Sequence, residues 1–260
     1  TVSSEMLATQ VLKDTYRFWN PNPNDFISGN LFNKHIAVLE TDANANQYYY
    51  SFYPFGSFGA YTRLTDLQRM VEFAEGSPTQ SSYRGLAKFM KAIYGLSSTL
   101  DMGDVPYSEA GMAEEGNVTP IYDKQADVFV SILNDLQEAE AYFAEGNNFD
   151  GDFMFDGDAS KWQKLCNAMQ LKVLQTISKQ ITDAQKSRFA AIVNTGNLME
   201  GNSDNLKLVY SENPNATHPF FNGENRRITT AISKLAVDAL KTMKDRRLFY
   251  FANPAQALID

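Results

Sequence analysis

Apolar side chains recur at a spacing of three or four residues along most of this sequence, and this periodicity limits the possible folds more than any other feature. The spacing places apolar residues on one face of an α-helix, and clusters of Gly, Pro and Asn end each run. The pattern predicts six or seven helices, assigned to residues 4–19, 59–75, 81–103, 119–146, 158–181, 184–194 and 230–243.

Capping signals mark several of these helix boundaries. Thr119 followed by Pro120 is a typical helix start, and Thr182 with Gln185 forms a capping box. Only Leu206–Tyr210 has the composition of a strand. Consecutive helices joined by short polar segments pack as antiparallel hairpins. The sequence therefore predicts an all-α fold of tetratricopeptide-like helical hairpins with long irregular loops, although no clean repeat of about 34 residues is visible.

Charge and composition exclude several classes of protein. The formal net charge is −8 and no stretch is rich in Lys and Arg, which argues against a nucleic-acid partner. One cysteine and two histidines rule out an internal disulfide and nearly exclude a Cys/His zinc site. No apolar run reaches the roughly 18 residues of a membrane-spanning helix. We expect no metal and no cofactor, and we expect Trp162 and Cys166 to lie in the core.

The acidic segment 150–158 is similar to a calcium-binding loop. Met154, however, stands at the third position of an EF-hand loop starting at Asp152, where an oxygen ligand is needed, and Gln163 stands at the twelfth, where a bidentate Glu is needed. Asp residues are also favoured in turns and at helix N-caps. The sequence therefore predicts that Asp156 and Asp158 form a turn and cap the following helix.

A second acidic region lies around residues 101–115. Its carboxylates belong to Asp101, Asp104, Glu109, Glu114 and Glu115. Two of them held roughly 5 to 9 Å apart would be the machinery of a glycoside hydrolase. Surface carboxylates are common in an acidic protein, so a solvated loop is the favoured interpretation.

Aromatic residues are concentrated between residues 48 and 61. The eight are Tyr48, Tyr49, Tyr50, Phe52, Tyr53, Phe55, Phe58 and Tyr61. Their spacing fits neither a strand nor a helix, so some of them are expected to be exposed, where they would bind a ligand by stacking; packing in the core is the alternative. The candidate ligand-binding residues are Tyr48, Tyr49, Tyr50 and Tyr53, with Asn44, Asn46 and Gln47 as neighbouring polar groups.

Three stretches, in this order, resemble signatures of the SusD/RagB family of outer-membrane nutrient-binding lipoproteins. Residues 103–110 read GDVPYSEA, residues 120–136 follow P-x-YD-x-Q…IL-x-DL, and residues 157–168 follow GD-x-x-KW-x-K-x-x-N. The likeness covers about residues 1–250. The resemblance implies one helical domain over residues 1–260, as the N-terminal part of a longer family fold.

The resemblance also implies a function. Such proteins bind glycans, or peptides in some members, and form a lid on a SusC-type TonB-dependent transporter without catalysing a reaction. They sit at the cell surface of the outer membrane, held by a lipid anchor that is absent from this chain. The motif residues Asp104, Tyr107 and Trp162 are expected to serve the scaffold, whereas binding aromatics in relatives lie in loops.

Three hypotheses about function follow. The leading one is a non-catalytic surface protein that binds an oligosaccharide, or less favourably a peptide, and delivers it to a SusC-type transporter. The second is a helical-repeat scaffold for protein interaction that has no small-molecule ligand. The third is a carboxylate-dependent glycoside hydrolase using Asp104 and Glu109.

Overall fold

The computed structural model of the chain describes residues 2–16, 30, 33–38, 56–213 and 230–253. It divides into two compact units. Unit 1 comprises Thr1–Arg17 and Phe55–Leu208, and unit 2 comprises Phe18–Pro54 and Val209–Asp260. Each unit is described by itself below, and the single domain over residues 1–260 stays a prediction.

Unit 1 is an array of helices packed in chain order. The α-helices are α1 (Ser4–Tyr16), α2 (Leu64–Phe73), α3 (Gln80–Met102), α4 (Gln125–Glu145), α5 (Ala159–Thr176) and α6 (Asp183–Thr195). Short 3-10 turns occupy Gly59–Arg63, Ser178–Gln180 and Asn202–Asp204. Helix α1 packs on α2, and each helix from α2 to α5 packs on the next. The predicted all-α fold of helical hairpins is confirmed.

The hydrogen bonds between α3 and α4 show that the two helices are antiparallel. The Ser81 hydroxyl, at the start of α3, donates to the carbonyl of Tyr142 near the end of α4 (2.9 Å). At the other end, the Gln125 side-chain amide donates to the carbonyl of Thr99 (2.7 Å). Helices α3 and α4 therefore form a hairpin whose connection, residues 103–124, lies at the C-terminal end of α3.

The core of unit 1 is centred on Trp162. Its fully buried indole contacts three phenylalanine rings, with centroid distances of 5.3 Å to Phe89, 5.7 Å to Phe143 and 5.3 Å to Phe155. Cys166 is buried one turn along α5, and burial raises the pKa of its thiol well above the ordinary value. Both residues are in the core, as predicted from the apolar stripe of the helix.

Several predicted boundaries are confirmed by side-chain caps. The Asp158 carboxylate accepts a hydrogen bond from the Ser160 N–H at the start of α5. Thr182 and Gln185 make both reciprocal bonds of the capping box at the start of α6. Gly196 follows α6 in the left-handed conformation (φ 69°) that stops a helix. These signals are readable from the sequence because each cap uses residues that are close along the chain.

The predicted start of α4 at Thr119-Pro120 is wrong, although the rest of the predicted helix is present. Residues 119–124 are not helical, and α4 begins at Gln125. The Asp123 N–H donates to the Val105 carbonyl (3.1 Å), and the two residues form an isolated antiparallel β-bridge. The Gln125 N–H is satisfied by the carboxylate of Asp104 (2.9 Å), which is 21 residues away. A cap supplied from so far along the chain is invisible to a local start signal.

Two predictions near the C-terminus also need correction. Leu206–Tyr210 is irregular rather than a strand, and the described sheet consists of other residues. The helix predicted from residue 230 begins at Lys234 instead, and the residues before it form a strand. Strands depend on a partner, and the partner here is almost two hundred residues away in the sequence.

The described part of unit 2 includes a two-stranded antiparallel sheet and two short helices. Strand β1 (Ile36–Val38) pairs with β2 (Thr230–Ile232), with Ile36 opposite Ile232. Helix α7 spans Lys234–Thr242 and α8 spans Leu248–Phe251.

Ser233 joins the sheet of unit 2 to α7. Its N–H donates to the His35 carbonyl (2.9 Å) and continues the ladder, while its hydroxyl accepts the Ala236 N–H (3.1 Å) and caps α7. In the described part of the chain, no helix has both the length and the apolar character needed to span a bilayer.

Candidate functional site

The ligand-binding residues predicted from the sequence lie outside the described residues. They are Asn44, Asn46, Gln47, Tyr48, Tyr49, Tyr50 and Tyr53. Their role stays a prediction. Of the eight aromatics between residues 48 and 61, Phe58 and Tyr61 are described, and the surface around them is the candidate site.

Phe58, Tyr61 and Tyr122 form a group of rings on unit 1, here called the aromatic patch. The Phe58 ring lies 6.3 Å from the Tyr122 ring in an edge-to-face arrangement (87°) and 5.5 Å from the Tyr61 ring. Tyr122 is 63% exposed and Phe58 is 38% exposed, whereas Tyr61 is half-buried beside them. Burial raises the pKa of the Tyr61 hydroxyl, and the nearby Asp123 carboxylate adds to this effect. The patch therefore presents two exposed rings, with the half-buried, uncharged Tyr61 ring beside them.

The N-terminal side of the patch is fixed by backbone contacts. The Tyr61 N–H donates to the Phe58 carbonyl (2.9 Å) in the 3-10 turn that precedes α2. Gly56 has φ +87°, and a Cβ atom at this position would come within 2.4 Å of the Met102 side chain. A glycine is required because the chain passes so closely against the end of α3. This contact places Phe58 at the C-terminal end of α3.

The other side of the patch depends on Asp123. Its carboxylate accepts the N–H groups of Tyr107 (2.9 Å) and Ser108 (2.8 Å) and the Ser108 hydroxyl (2.8 Å). Although burial raises the pKa of Asp123, these hydrogen bonds lower it overall. Asp123 also pairs with Val105 through the backbone, and in an extended segment successive side chains point to opposite sides. Tyr122 is therefore directed outward to solvent.

Tyr107 attaches this loop to the helical core. Its ring packs directly on Gly95, where a Cβ atom would lie 2.1 Å from a ring carbon. Its hydroxyl donates to the buried Asp135 carboxylate (2.7 Å), which also accepts from Lys88 (2.8 Å). The Lys91 ammonium lies 4.9 Å from the centre of the ring. The motif residue Tyr107 has a scaffold role: it holds rigid the loop that presents Tyr122.

In the acidic loop, the carboxylates of Asp104 and Glu109, the two candidates for catalysis, make hydrogen bonds that shape the loop. Asp104 accepts the Gln125 N–H and pairs with Lys124 (3.1 Å), and these contacts lower its pKa, the hydrogen bond from Gln125 most strongly. Glu109 accepts the Ile121 N–H (3.1 Å) and the Asn117 side-chain amide (2.8 Å). A glycosidase general acid needs a raised pKa, and the pKa of Asp104 is lowered. The geometry therefore gives Asp104 and Glu109 a role in shaping the loop.

In the calcium-like segment, Asp156 lies in a turn and Asp158 caps α5, as predicted, and the hydrogen bonds of the segment converge on Asp152. The buried Asp152 carboxylate accepts four N–H groups, from the Trp162 indole (2.7 Å) and from the backbone of Met154 (2.8 Å), Phe155 (3.3 Å) and Gly157 (3.2 Å). Carboxylate oxygens whose lone pairs already accept N–H hydrogen bonds are not free to bind a cation. Within the described ranges, no cluster of three or more His, Cys, Asp or Glu side chains is arranged to hold a metal ion.

Sequence reasoning missed Tyr122 as a surface residue. The residue lies just after Pro120, inside the helix predicted from the Thr119-Pro120 signal. No local signal identifies it, because its exposure depends on the bonds of the neighbouring Asp123 to Tyr107 and Ser108, which tie the two motif stretches together.

Comparison with protein families gives a match over nearly the whole chain. The SusD-like family model described as "starch-binding associating with outer membrane" matches residues 1–259. The comparison with curated proteins gives no match.

Several solved structures share the fold. A SusD homologue from Bacteroides fragilis is 36% identical with a TM-score of 0.84, and the match covers 99% of this chain and 54% of that one. An outer-membrane protein from Bacteroides vulgatus, described as involved in nutrient binding, is 29% identical with a TM-score of 0.78 (95% and 53% covered). A chitin-binding protein is 26% identical with a TM-score of 0.67 (94% and 53% covered). The chain spans about half the length of these relatives.

Proposed function

Because the chain belongs to the SusD-like family, which is described as starch-binding and associated with the outer membrane, we propose that it binds an oligosaccharide at the cell surface without cleaving it. The proposal includes attachment through a lipid anchor and delivery of the ligand to a SusC-type TonB-dependent transporter. Oligosaccharide is preferred to peptide as the ligand, and the naming of one solved relative as a chitin-binding protein supports this choice.

The observation that carries the proposal is the exposed edge-to-face pair of Phe58 and Tyr122. Exposed aromatic faces stack on the C–H faces of sugar rings, and the tyrosine hydroxyl adds a hydrogen-bonding group. Single exposed rings such as Phe73 are ordinary, whereas exposed rings in contact with each other form a contiguous apolar patch of the kind that meets a partner. Here the support is rigid because Gly56 lies against α3 and Asp123 is bonded to the core-anchored loop.

The tyrosines at 48, 49, 50 and 53, with Asn44, Asn46 and Gln47, are proposed as further ligand-binding residues. They share one aromatic-rich segment of sequence with Phe58, and tyrosine is among the residues that contribute most to binding energy at recognition sites. Testing them separately from the aromatic patch shows which group of aromatics contributes to affinity.

Calorimetric titration against neutral oligosaccharides, including starch and chitin fragments, and against short peptides tests the proposal. Phe58→Ala and Tyr122→Ala are expected to weaken oligosaccharide binding about tenfold or more, equivalent to about 1.4 kcal/mol. Phe73→Ala is the matched control, because Phe73 is an exposed ring at the end of α2, outside the patch. A combined Tyr48, Tyr49 and Tyr50 to Ala variant tests the second group.

The outcome separates the candidate functions. Saturable binding that the patch variants weaken and the control does not supports the proposal. Absence of binding to every panel, together with co-purification with a SusC-type transporter, would favour a helical-repeat interaction scaffold, for which the helical-hairpin array of unit 1 is suited.

Hydrolysis is the least supported function. Asp104 and Glu109 each accept a hydrogen bond from a backbone N–H group. The lowered pKa of Asp104 keeps its carboxylate ionised, so it has no proton to donate as a general acid. Turnover of any glycan that Asp104→Asn or Glu109→Gln abolishes, with the fold intact by circular dichroism, would reverse this conclusion.

A further inference from the structure

The two stretches of sequence that carry the proposed binding residues hold most of the net charge of the chain. Residues 101–125, which include Tyr122, contain six carboxylates and one lysine, a net charge of −5 in a chain of charge −8. Residues 36–62, which include Phe58, contain Glu40 and Asp42 and neither Lys nor Arg. The rest of the chain is nearly balanced, with 23 acidic and 22 basic residues. Acidity is therefore concentrated in the binding stretches rather than spread over the surface.

A carboxylate lies on the Phe58 side of the aromatic patch. Asp101 is exposed near the end of α3, where Gly56 passes against the same helix. The Cβ atom of Asp101 is 3.6 Å from the position that a Cβ atom on Gly56 would take. Since Gly56 precedes Phe58 by two residues, Asp101 brings negative charge to this edge of the patch.

Two further carboxylates lie on the Tyr122 side. Glu109 accepts the N–H of Ile121, the residue before Tyr122 (3.1 Å). Asp123 follows Tyr122, and its lowered pKa keeps it ionised at neutral pH. The hydrogen bonds that these two carboxylates accept come from uncharged N–H and O–H groups. Such bonds fix the positions of the carboxylates and leave their negative charge in place.

The nearby cations offset only part of this charge. Lys124 pairs with Asp104 (3.1 Å), so these two residues cancel. Lys91 is half-buried, and its ammonium interacts with both Asp123 and Asp135. In the described ranges of the chain, no Lys or Arg side chain forms an ion pair with either of the two other carboxylates beside the patch. The exposed rings therefore lie in a region of excess negative charge.

Given the oligosaccharide-binding function proposed above, on which this inference rests, we propose that the aromatic patch prefers an oligosaccharide whose sugars carry free, protonated amino groups. An ammonium group is attracted to the face of an aromatic ring, and the exposed faces here belong to Phe58 and Tyr122. The surrounding carboxylates raise the local concentration of a cationic ligand and repel an anionic one. Neutral sugars stack on the same rings without the electrostatic gain.

A basic peptide offers the same ammonium chemistry but fits the patch less well. The ammonium group of a lysine lies at the end of a flexible stem, which loses rotamer entropy when it is bound. An amino group on a pyranose is held rigidly beside the C–H face that stacks on a ring. A short amino oligosaccharide therefore gains both contacts at a smaller entropic cost.

Calorimetric titration with two matched sets of hexasaccharides tests the preference at about pH 5.5, where amino groups are protonated and carboxylates are largely ionised. The β-1,4 set consists of glucosamine, N-acetylglucosamine and glucuronic acid oligomers. The α-1,4 set consists of 6-amino-6-deoxyglucose, glucose and glucuronic acid oligomers. In the set that binds, the cationic member is expected to bind at least about tenfold more tightly than the neutral one at low salt, and the anionic member more weakly than both. The advantage is expected to fall to about threefold or less in about 0.5 M NaCl.

The variant Asp101→Asn/Glu109→Gln assigns the preference to the carboxylates beside the patch. It is expected to lower the ratio of cationic to neutral affinity by about threefold or more, because it removes two negative charges while both amides still accept hydrogen bonds. The matched control, Glu75→Gln/Glu145→Gln, removes the same charge from exposed positions beyond the other end of α3. Since the 23 residues of α3 span about 35 Å, several times the Debye length, the control is expected to leave the ratio unchanged. Asp101→Asn alone supplies the measurement if the double variant does not fold.

The outcomes separate this preference from the proposed function. A cationic oligosaccharide that binds no more tightly than its neutral counterpart overturns the preference and leaves oligosaccharide binding standing. Failure of every neutral and cationic oligosaccharide to bind overturns both. An advantage that persists in high salt, or that the control lowers as much as the patch variant, shows that these carboxylates do not select the ligand. Tighter binding of hexalysine than of the amino hexasaccharides would assign the patch to a basic peptide instead.

Discussion

The Tyr107 hydroxyl donates a 2.7 Å hydrogen bond to the Asp135 carboxylate, and this bond joins the loop before α4 to the middle of α4 itself. Both side chains are buried, and burial is the main reason that the pKa of Tyr107 is raised well above its ordinary value. The bond therefore involves a neutral donor and a carboxylate that is otherwise held by Lys88.

Tyr107→Phe is expected to destabilise the protein by about 1–3 kcal/mol, because the buried Asp135 carboxylate loses one of its two side-chain donors. Urea unfolding followed by circular dichroism measures the change. Tyr122→Phe removes an exposed hydroxyl of the same kind and is expected to change the free energy of unfolding by less than about 0.5 kcal/mol. Equal effects of the two variants would show that the bond to Asp135 contributes little.

Gly95→Ala is expected to destabilise unit 1 by about 1–3 kcal/mol. The added Cβ would lie 2.1 Å from the Tyr107 ring, and the overlap outweighs the gain of up to about 1 kcal/mol in helix propensity. Gly201→Ala is the control, since nothing lies within 4 Å of a Cβ atom there and its φ of −168° suits any residue. An unchanged Tm for Gly95→Ala would mean that the loop moves away from α3 at no cost.

Asp152→Ala is expected to destabilise the protein by about 2–4 kcal/mol, since it leaves the buried Trp162 indole N–H without its acceptor and frees three backbone N–H groups. Asp150→Ala is the control on the same loop, where the backbone carbonyl, which the substitution retains, accepts from the Tyr83 hydroxyl. Differential scanning calorimetry distinguishes the two variants. A loss for Asp152→Ala no larger than for Asp150→Ala would contradict the central role of Asp152.

Calcium is expected to leave the Tm of the protein unchanged, because the Asp152 oxygens already accept N–H donors. Melting curves with excess CaCl₂ and with EDTA make the comparison. A calcium-dependent rise in Tm that Asp152→Ala removes would show instead that the segment is a cation site.

Stability is expected to fall in acid partly through Asp123. Its pKa in the folded protein lies below the ordinary value of 3.8, so the carboxylate contributes stability above about pH 4. That contribution is lost as the pH falls through the lower, folded-state pKa and both states become protonated. Urea midpoints measured from pH 6 to pH 2 are expected to decline less for Asp123→Asn than for the unchanged chain. A variant at the exposed Asp101, Asp101→Asn, is expected to follow the unchanged chain.

Tyr122→Phe and Tyr122→Ala separate the ring from the hydroxyl in the proposed binding site. If stacking dominates, Tyr122→Phe is expected to retain affinity within about threefold while Tyr122→Ala loses about tenfold or more. Calorimetric titration with the best oligosaccharide of the panel supplies the measurement. Equal losses for both variants would mean that the hydroxyl, not the ring, recognises the ligand.

The helices that could be predicted are those whose signals are local. The capping box of Thr182 and Gln185 and the Asp158 cap use residues two or three positions apart, and both are where the sequence indicates. The three family stretches are likewise contiguous, which explains why the fold and family could be predicted while the surface positions could not.

The errors come from partners that are distant in the sequence. Thr119-Pro120 has the local features of a helix start, yet Asp104 caps α4 at Gln125 from 21 residues away. Strand β2 pairs with β1, which is almost two hundred residues away in the sequence, so periodicity alone predicts a helix at residue 230. Tyr122 became part of the candidate site only when tertiary contacts placed it beside Phe58.

The remote cap of α4 has a consequence for the order of folding. The Gln125 N–H gains its protein acceptor only when the loop carrying Asp104 has closed, so we expect loop closure to stabilise the first turn of α4. Closing a loop of this length takes well under a millisecond, and it is local compared with the pairing of β1 and β2. We therefore expect the α3–α4 hairpin to be part of the folding nucleus. In a kinetic φ-value analysis, which compares the effect of a mutation on the folding rate with its effect on stability, Asp104 is expected to give a value near 1 and the strands values near 0.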